Sequence, residues 1–263
     1  MNFKLSLIST GLIAGSALAF WMTPAQASTF SFTASDAEAA GCQFSASCIV
    51  NSEFNLSVAQ PSGSLMTIKH VPILDNFKGI GISEDGTTSI ELNGGSEGEI
   101  DPDEVLAVDF QQAIIDYIDL GFLYPEGVFG DLVFETIEIT SSAGETGTLQ
   151  ITGETTATWT LDGSVVNLSP SRDFSNPAGA GQGLYRLFNP FGTDKLTGFT
   201  ATAIPISNSV FGFTPVGHPN SDFVLAGAGI TTMMVPEPGT LGALIGTGAL
   251  AALSLRRRRR NKT

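Results

Sequence analysis

The side chains best suited to chemistry form an acidic stretch in the first half of the chain. Its candidate metal ligands are Glu99, Asp101, Asp103 and Glu104, with Glu97 just before them and Asp109 just after. Ca²⁺ is bound by carboxylate and carbonyl oxygens, which a Gly-rich loop can bring together. The spacing of an EF-hand loop is absent from this stretch. Two interpretations stay open, a Ca²⁺ site and a solvated acidic loop.

Residues for catalysis are much harder to find. The chain has two histidines, His70 and His218, which lie far apart in the sequence. A Ser-His-Asp site needs a base held beside its nucleophile, and neither a nucleophile elbow nor a P-loop nor a dinucleotide fingerprint is predicted. Carboxylates are abundant, but no pair is marked out for glycoside hydrolysis. We therefore predict a protein that is not an enzyme, with no cofactor beyond the Ca²⁺ considered above.

Four aromatic side chains offer a different kind of site. Trp159, Tyr117, Tyr124 and Tyr185 lie in apolar, strand-like segments of the chain. Exposed rings of this kind stack on the apolar faces of sugars, whereas buried rings contribute to a core. The first interpretation predicts a carbohydrate-binding surface, and the second predicts only packing.

The charge of the chain is distributed very unevenly. All 26 acidic residues lie between Asp36 and Glu237, whereas seven of the twelve basic residues lie in the first four or the last eight positions. The five remaining basic residues against 26 acidic ones leave a formal charge of −21 between the two ends. Such a body repels nucleic acid, because binding to phosphates requires Lys and Arg. Either it attracts divalent cations, or the charge only keeps the protein soluble.

The chain has two cysteines, Cys42 and Cys48, which are close in sequence. In an exported protein such a pair is typically oxidised. We predict a disulfide that pins a hairpin or loop near the start of the mature chain. A metal or redox pair is disfavoured, since no further Cys or His accompanies the two.

The pattern of the body predicts β-strands. Short segments of alternating polarity are separated by turns rich in Gly, Asn, Asp and Pro, which is typical of strands and not of helices. The predicted strands are residues 30–33, 54–58, 65–71, 77–82, 105–110, 113–124, 134–140, 148–152, 157–161, 183–188, 196–204 and 223–230. Residues 113–124 also fit an amphipathic helix, but their β-branched and aromatic content and Gly121 favour a strand. The fold class predicted is all-β, a jelly-roll-like β-sandwich.

The first 27 residues have the pattern of a removable signal peptide. Lys4 supplies a positive charge, residues 5–22 are apolar, and small residues stand at Ala25 and Ala27. A signal peptidase requires small side chains at those two positions. We predict cleavage after Ala27, which leaves Ser28 as the new N-terminus, and a signal helix upstream of it.

The last 29 residues have three parts in a fixed order. Residues 235–238 form a stiff extended box, residues 239–255 are uncharged and apolar, and residues 256–262 are strongly basic. The box consists of Val235, Pro236, Glu237 and Pro238, and the basic cluster contains Arg256, Arg257, Arg258, Arg259 and Arg260. The apolar part is near the lower length limit for a transmembrane helix, and the arginines would keep its end cytoplasmic.

This order of box, apolar helix and basic cluster closely resembles the PEP-CTERM sorting signal of Gram-negative bacteria. The resemblance implies that the tail is recognised by a membrane protease of the exosortase type and cut at or near the box. Residues 79–82, 120–124 and 189–192 also resemble parts of the β-sandwich bodies of PEP-CTERM surface proteins. The three predicted regions are therefore a signal peptide at 1–27, a β-sandwich domain at 28–234 and a sorting tail at 235–263.

These features predict a protein of the cell surface or extracellular matrix. Its expected partners are signal peptidase, the exosortase-type protease, extracellular polysaccharide and, transiently, the inner membrane. We expect a structural or adhesive role in an exopolysaccharide or biofilm. A secreted lectin-like carbohydrate-binding module is the alternative, and a secreted hydrolase is a weaker one.

Overall fold

The computed structural model describes residues 27–71, 77–83, 98–125, 134–153, 155–170, 172–173, 183–204 and 221–233. These residues belong to one compact unit, Ala27–Met234. Its strands are β1 Ala27–Thr33, β2 Ser47–Val50, β3 Phe54–Gln60, β4 Leu65–Val71, β5 Phe77–Ser83, β6 Val105–Leu123, β7 Thr136–Ser141, β8 Thr146–Gly153, β9 Thr156–Leu161, β10 Ser164–Leu168, β11 Arg172–Asp173, β12 Gly183–Phe188, β13 Leu196–Ala203 and β14 Val224–Met233.

The described part of the chain has a single helix, α1, which spans Ala34–Ala39 directly after β1. It begins with a capping box, in which Thr33 and Asp36 each accept the other's backbone N–H. Such reciprocal bonds satisfy two otherwise unpaired donors at a helix start. Ala34 and Ala37 are buried on the core side of this short helix, which the sequence analysis did not predict.

The strands join into one large antiparallel network. Its longest path runs β10-β9-β8-β7-β13-β6-β14-β5-β4, and the other five strands pair off this path. β6 is the junction. Its first half pairs with β3 and β13, and its second half pairs with β12 and β14. The predicted all-β class is therefore confirmed in its coarse form, and the jelly-roll-like sandwich remains a prediction.

β6 explains why residues 113–124 were ambiguous in the sequence. In the first part of β6 the buried residues have even numbers, as at Leu106 and Val108. The buried residues then have odd numbers at Ala113 and Ile115, and an even number again at Ile118. Register shifts in the ladders with β13 and β14 fall between these groups. Bulges of this kind insert a residue and change which side chains face the core. The alternation therefore breaks twice within one continuous strand, although the prediction of a strand is correct.

Most buried apolar side chains form one core. It contains Phe32 of β1, Phe54 of β3 and Phe110 of β6, whose rings meet edge to face with centroids 4.8 and 6.2 Å apart. A second, smaller cluster joins Phe77, Phe122 and Val224. The two clusters together place apolar side chains along most strands of the network, as the apolar runs in the sequence indicate.

Candidate functional site

The predicted N-terminal processing junction, Ala27–Ser28, lies at one end of the β1–β14 ladder. Ala27 pairs with Met233 and Ser28 with Thr232, and the antiparallel pairs continue to Thr33 and Gly227. The hydroxyl of Thr232 also donates to the Ser28 carbonyl at 3.2 Å. The bond predicted to be cut by signal peptidase, Ala27–Ser28, is therefore inside a hydrogen-bonded ladder. Ala25 lies outside the described residues.

β14 links this end of β1 to the rest of the fold. It pairs with β6 along most of its length, with β1 from Gly227 onward and with β5 at Leu225. The Thr231 hydroxyl donates to Asp116 Oδ2 of β6 at 2.7 Å. The last described residue, Met233, is two positions before Val235 of the predicted box. The box, the apolar stretch and the arginines themselves lie outside the described residues.

The acidic stretch does not converge on a cation-binding centre. Glu99 is 5% exposed and forms an ion pair with Lys69, which is equally buried. Lys69 also lies 5.2 Å from the centre of the Phe122 ring. Burial of a charged carboxylate is costly unless an opposite charge and hydrogen bonds compensate it. Glu99 is therefore committed to an ion pair of the protein.

The other three predicted ligands do not complete a site either. Glu104 accepts the backbone N–H of Asp101 at 3.0 Å, which closes a turn, and Asp103 is exposed to solvent. Within the described residues, no three His, Cys, Asp or Glu side chains lie close enough to hold a metal ion. The Ca²⁺ hypothesis for Glu99, Asp101, Asp103 and Glu104 stays a prediction, and the described residues lend it no support, because two of its carboxylates already have partners in the fold.

A second charged pair lies between β6 and β12. Arg186 donates to both carboxylate oxygens of Asp119, at 2.7 and 2.6 Å, and its guanidinium is 3.9 Å from the centre of the Tyr117 ring. The hydrogen bonds that Arg186 donates to Asp119 raise the pKa of Arg186 above its ordinary value, although burial opposes this shift. Planar bidentate contacts of this kind, stacked on an aromatic ring, are specific to arginine.

The four aromatic residues considered for sugar binding are mostly used for packing. Tyr185 is 1% exposed and Trp159 is 6% exposed, with Trp159 edge to face against Phe191. Tyr117 is covered by Arg186, and Tyr124 is only partly exposed beside Phe122. The packing interpretation therefore holds for Trp159 and Tyr185.

An apolar groove nonetheless lies beside Trp159. The exposed aromatic ring at this groove belongs to Phe188, which was not among the predicted candidates. The groove has a volume of about 450 Å³ and lies between the β9–β10 hairpin and the loop that follows β12. Phe188 at its wall is 69% exposed. Polar side chains of Asp162, Ser164 and Asn189 also line it. Since residues 184–188 are apolar on both faces apart from Arg186, alternation alone could not show which ring faces solvent.

Cys42 and Cys48 are joined by a disulfide. Cys42 is fully buried against the core, and Cys48 belongs to β2. The bond therefore ties the loop after α1 to the edge strand β2. A disulfide between these two cysteines, near the start of the mature chain, is what the sequence predicts.

The structure describes one of the two histidines. His70 lies on β4, and its Nε2 atom has no hydrogen-bond partner; His218 lies outside the described residues. Residues 94–98 do fit the letters of the G-x-S-x-G pattern, which the sequence analysis overlooked. A nucleophile elbow requires a helix directly after the serine turn, whereas the next described element is the strand β6.

Comparison with known protein families gives one match. Residues 235–259 match the PEP-CTERM protein-sorting motif. No curated protein and no solved structure matches the chain. The chain therefore carries a PEP-CTERM sorting motif, as its tail predicted, and this motif supports export and exosortase sorting to the cell surface.

The predicted transmembrane helix at 239–255 lies outside the described residues. Among the residues that are described, no helix is long and apolar enough to cross a membrane.

Proposed function

We propose that this chain is an exosortase-sorted protein of the cell surface or extracellular matrix, structural or adhesive in type and associated with exopolysaccharide. The observation that carries the proposal is the sorting motif at residues 235–259, which begins two positions after the last residue of β14. In the sequence, a single residue separates the end of β14 from the start of the motif.

The route we propose has three steps. Signal peptidase cuts after Ala27, the apolar stretch at 239–255 holds the chain in the inner membrane, and the exosortase cuts at or near Pro236–Pro238. Both signals are then lost, and with them seven of the twelve basic residues. The mature body carries a large negative charge, which favours solubility and repels acidic polymers unless cations bridge them.

We propose a non-catalytic role for the body. Its described carboxylates and histidine are not arranged as a nucleophile with a base, and the buried Glu99 and Asp119 are occupied by Lys69 and Arg186. What supports this role is that the two buried carboxylates Glu99 and Asp119 form ion pairs within the strand network.

The experiment for the sorting route is fractionation of cells with and without the exosortase. We expect the processed chain at the surface or in the medium when the protease is present, and the tail-bearing form in the membrane fraction when it is absent. A control with Pro236, Glu237 and Pro238 replaced by Ala should resemble the strain without the protease. Identical fractions in both strains would contradict the proposal.

The groove beside Phe188 supports a second candidate, a lectin-like carbohydrate-binding module. An exposed ring beside carboxylate, amide and hydroxyl groups is the combination that binds a sugar by stacking and hydrogen bonding. A glycan array tests it. Saturable binding that Phe188→Ala abolishes would support the lectin, whereas Val165→Ala, an equally exposed residue outside the groove, should leave it unchanged. Absence of binding to every glycan favours the structural role.

A further inference from the structure

β10, residues Ser164–Leu168, ends the longest path of the strand network. Among the described residues it pairs only with β9, in a ladder that continues without a register shift to its last residue. Its outer side therefore presents main-chain N–H and C=O groups that no described strand pairs. Val165 and Val166, which alternate to opposite faces of the strand, are 61% and 52% exposed.

Sheet edges of this kind are usually protected in soluble proteins. Charged side chains, Pro residues and bulges on an exposed edge prevent it from pairing with another chain. β10 has the sequence Ser-Val-Val-Asn-Leu, which contains no charged residue and no Pro. Because the body carries 25 acidic residues and only five basic ones, two copies repel each other over most of their surface, and an uncharged edge is a place where they can meet.

The other end of the same path, at β4, is partly covered. Phe44 donates its backbone N–H to the Met66 carbonyl at 2.8 Å, and Met66 donates its N–H to the Ser45 carbonyl at 2.9 Å. The loop before β2 thus occupies part of the outer edge of β4. Head-to-tail assembly through both ends of the path would need two open edges. Pairing of β10 with itself about a two-fold axis needs only one edge, and it closes at two copies.

We propose that β10 is a dimer interface, at which two copies of this chain pair their β10 strands antiparallel. A second copy fits this edge because an antiparallel edge is complementary to itself: the donors and acceptors that one copy presents are those that the other copy needs. This inference goes beyond the proposed function, and it depends neither on the sorting route nor on sugar binding.

The turn before β10 determines which of its main-chain groups are available. Asp162 and Gly163 have φ values of 48° and 77°, as in a two-residue type I′ hairpin turn. Such a turn closes on a hydrogen-bonded pair, here Leu161 and Ser164. Hydrogen-bonded and non-hydrogen-bonded pairs alternate along an antiparallel ladder. The odd-numbered residues of β10 therefore direct their main-chain N–H and C=O groups outward.

These outward groups give the register of the dimer. Val165 of each copy exchanges main-chain hydrogen bonds with Asn167 of the other copy. The two Val166 residues then face each other across the axis as a non-hydrogen-bonded pair, the arrangement in which opposite side chains are closest. This pairing covers apolar surface that the described part of the monomer leaves exposed.

Cysteine cross-linking in cells that export the full-length chain tests this register. Opposite Cα atoms of a non-hydrogen-bonded pair are about 4.5 Å apart, which suits a disulfide, whereas Val165 meets its own counterpart only diagonally, at about 7–8 Å. Under mild oxidation Val166→Cys should therefore form a linked dimer on the order of tenfold faster than Val165→Cys. Gels without reductant measure both rates. The new thiol is the only free one, since Cys42 and Cys48 are joined.

Sedimentation of the protein isolated from these cells tests association without a cross-link. We expect a reversible dimer that high salt strengthens, because salt screens the repulsion between two acidic bodies. Asn167→Pro removes an outward N–H, a change that an edge strand tolerates, and Val166→Lys places like charges opposite each other. Each should weaken dimerisation by about tenfold. Gln150→Lys adds the same charge at an exposed position of the interior strand β8, and it should not weaken dimerisation.

A cooperative unfolding transition of each variant verifies that it is folded. A protein that stays monomeric at every concentration and salt would overturn the proposal, and equal cross-linking at positions 165 and 166 would overturn it as well. So would a dimer that neither Asn167→Pro nor Val166→Lys weakens, since its interface would then lie elsewhere. A chain that keeps its tail can be cross-linked in the membrane fraction in the same way, so failure of the sorting route is observed separately.

Discussion

At the scale of single residues, several glycines are required because a neighbouring side chain occupies the place of their Cβ atom. A Cβ on Gly147 would overlap the Trp159 ring, and one on Gly229 would overlap the Tyr117 ring. Both glycines lie within strands, where a residue without a side chain allows a close approach. The aromatic rings therefore cover the backbone of an adjacent strand.

The Gly147–Trp159 contact leads to the first prediction. Gly147→Ala should lower the free energy of unfolding by about 1–3 kcal/mol, the usual cost of overpacking a core. The indole ring is buried and backed by Phe191, so it cannot move aside easily. Urea unfolding measures the change, and Gln150→Ala, at an exposed position of the same strand, serves as the control. Equal stability of both variants would show that Trp159 does move.

The Arg186–Asp119 pair gives the second prediction. Arg186→Gln should destabilise the fold by about 1–2 kcal/mol, toward the lower end because Arg186 is partly exposed and screened by solvent. Arg186→Lys should recover only part of the loss, because lysine cannot form the bidentate contact. The exposed Lys195→Gln is the control. Complete rescue by lysine would mean that only charge is needed.

The stability that the Arg186–Asp119 pair contributes depends on pH. Asp119 raises the pKa of Arg186, so the contribution of the ion pair is complete below the ordinary pKa of arginine and is lost only as the pH rises through the raised value. The difference in stability between wild type and Arg186→Gln should therefore stay constant from about pH 7 to pH 10, well below the raised pKa of Arg186. A difference that declines within that range would contradict this assignment.

At the scale of elements, β14 determines whether the body can close. It lies between β6 and β1 and also meets β5, and its side chains Val224, Leu225, Ala228 and Ile230 are buried. Loss of a central strand exposes both neighbouring ladders and much of the core.

This position of β14 leads to the third prediction. A chain of residues 28–233 should fold cooperatively without leader or tail, whereas a chain of residues 28–223 should not fold. Circular dichroism and thermal unfolding of the two purified chains provide the comparison. A cooperative transition in the shorter chain would show that β14 is dispensable.

The disulfide gives the fourth prediction, since it ties the end of α1 to β2. Replacing both Cys42 and Cys48 by Ala should cost about 2 kcal/mol, because the closed loop is short and its entropy is small. The fold should persist, as most of the core lies elsewhere. Denaturant unfolding with and without reductant measures the effect, and an unfolded double variant would contradict the estimate.

Much of this element structure was predictable, for identifiable reasons. Strands such as β4, β5 and β9 alternate cleanly or are bounded by turns, so their observed ends lie close to the predicted ends. α1 was missed because its six residues are too few for a helical period, and β10 because Val165 and Val166 are both exposed. The ion pair of Glu99 could not be predicted from the sequence, because its partner Lys69 is 30 positions away in the chain.

At the scale of the whole molecule, the precursor and the mature protein differ strongly in charge. The leader and tail hold seven of the twelve basic residues but only one acidic residue, Glu237, so the body between them has five basic residues and 25 acidic ones. Of those five, Lys69, Lys78 and Arg186 already form ion pairs within the fold. The processed protein is therefore much more acidic than its precursor.

The most direct test of the central claim is the intact mass of the exported protein, isolated from cells with and without the exosortase. Our account predicts a chain that begins at Ser28 in both strains. It ends at or near Pro236–Pro238 only where the protease is present, and it extends to Thr263 where the protease is absent. A mass that includes the apolar stretch and the arginines in the presence of the protease would contradict the account.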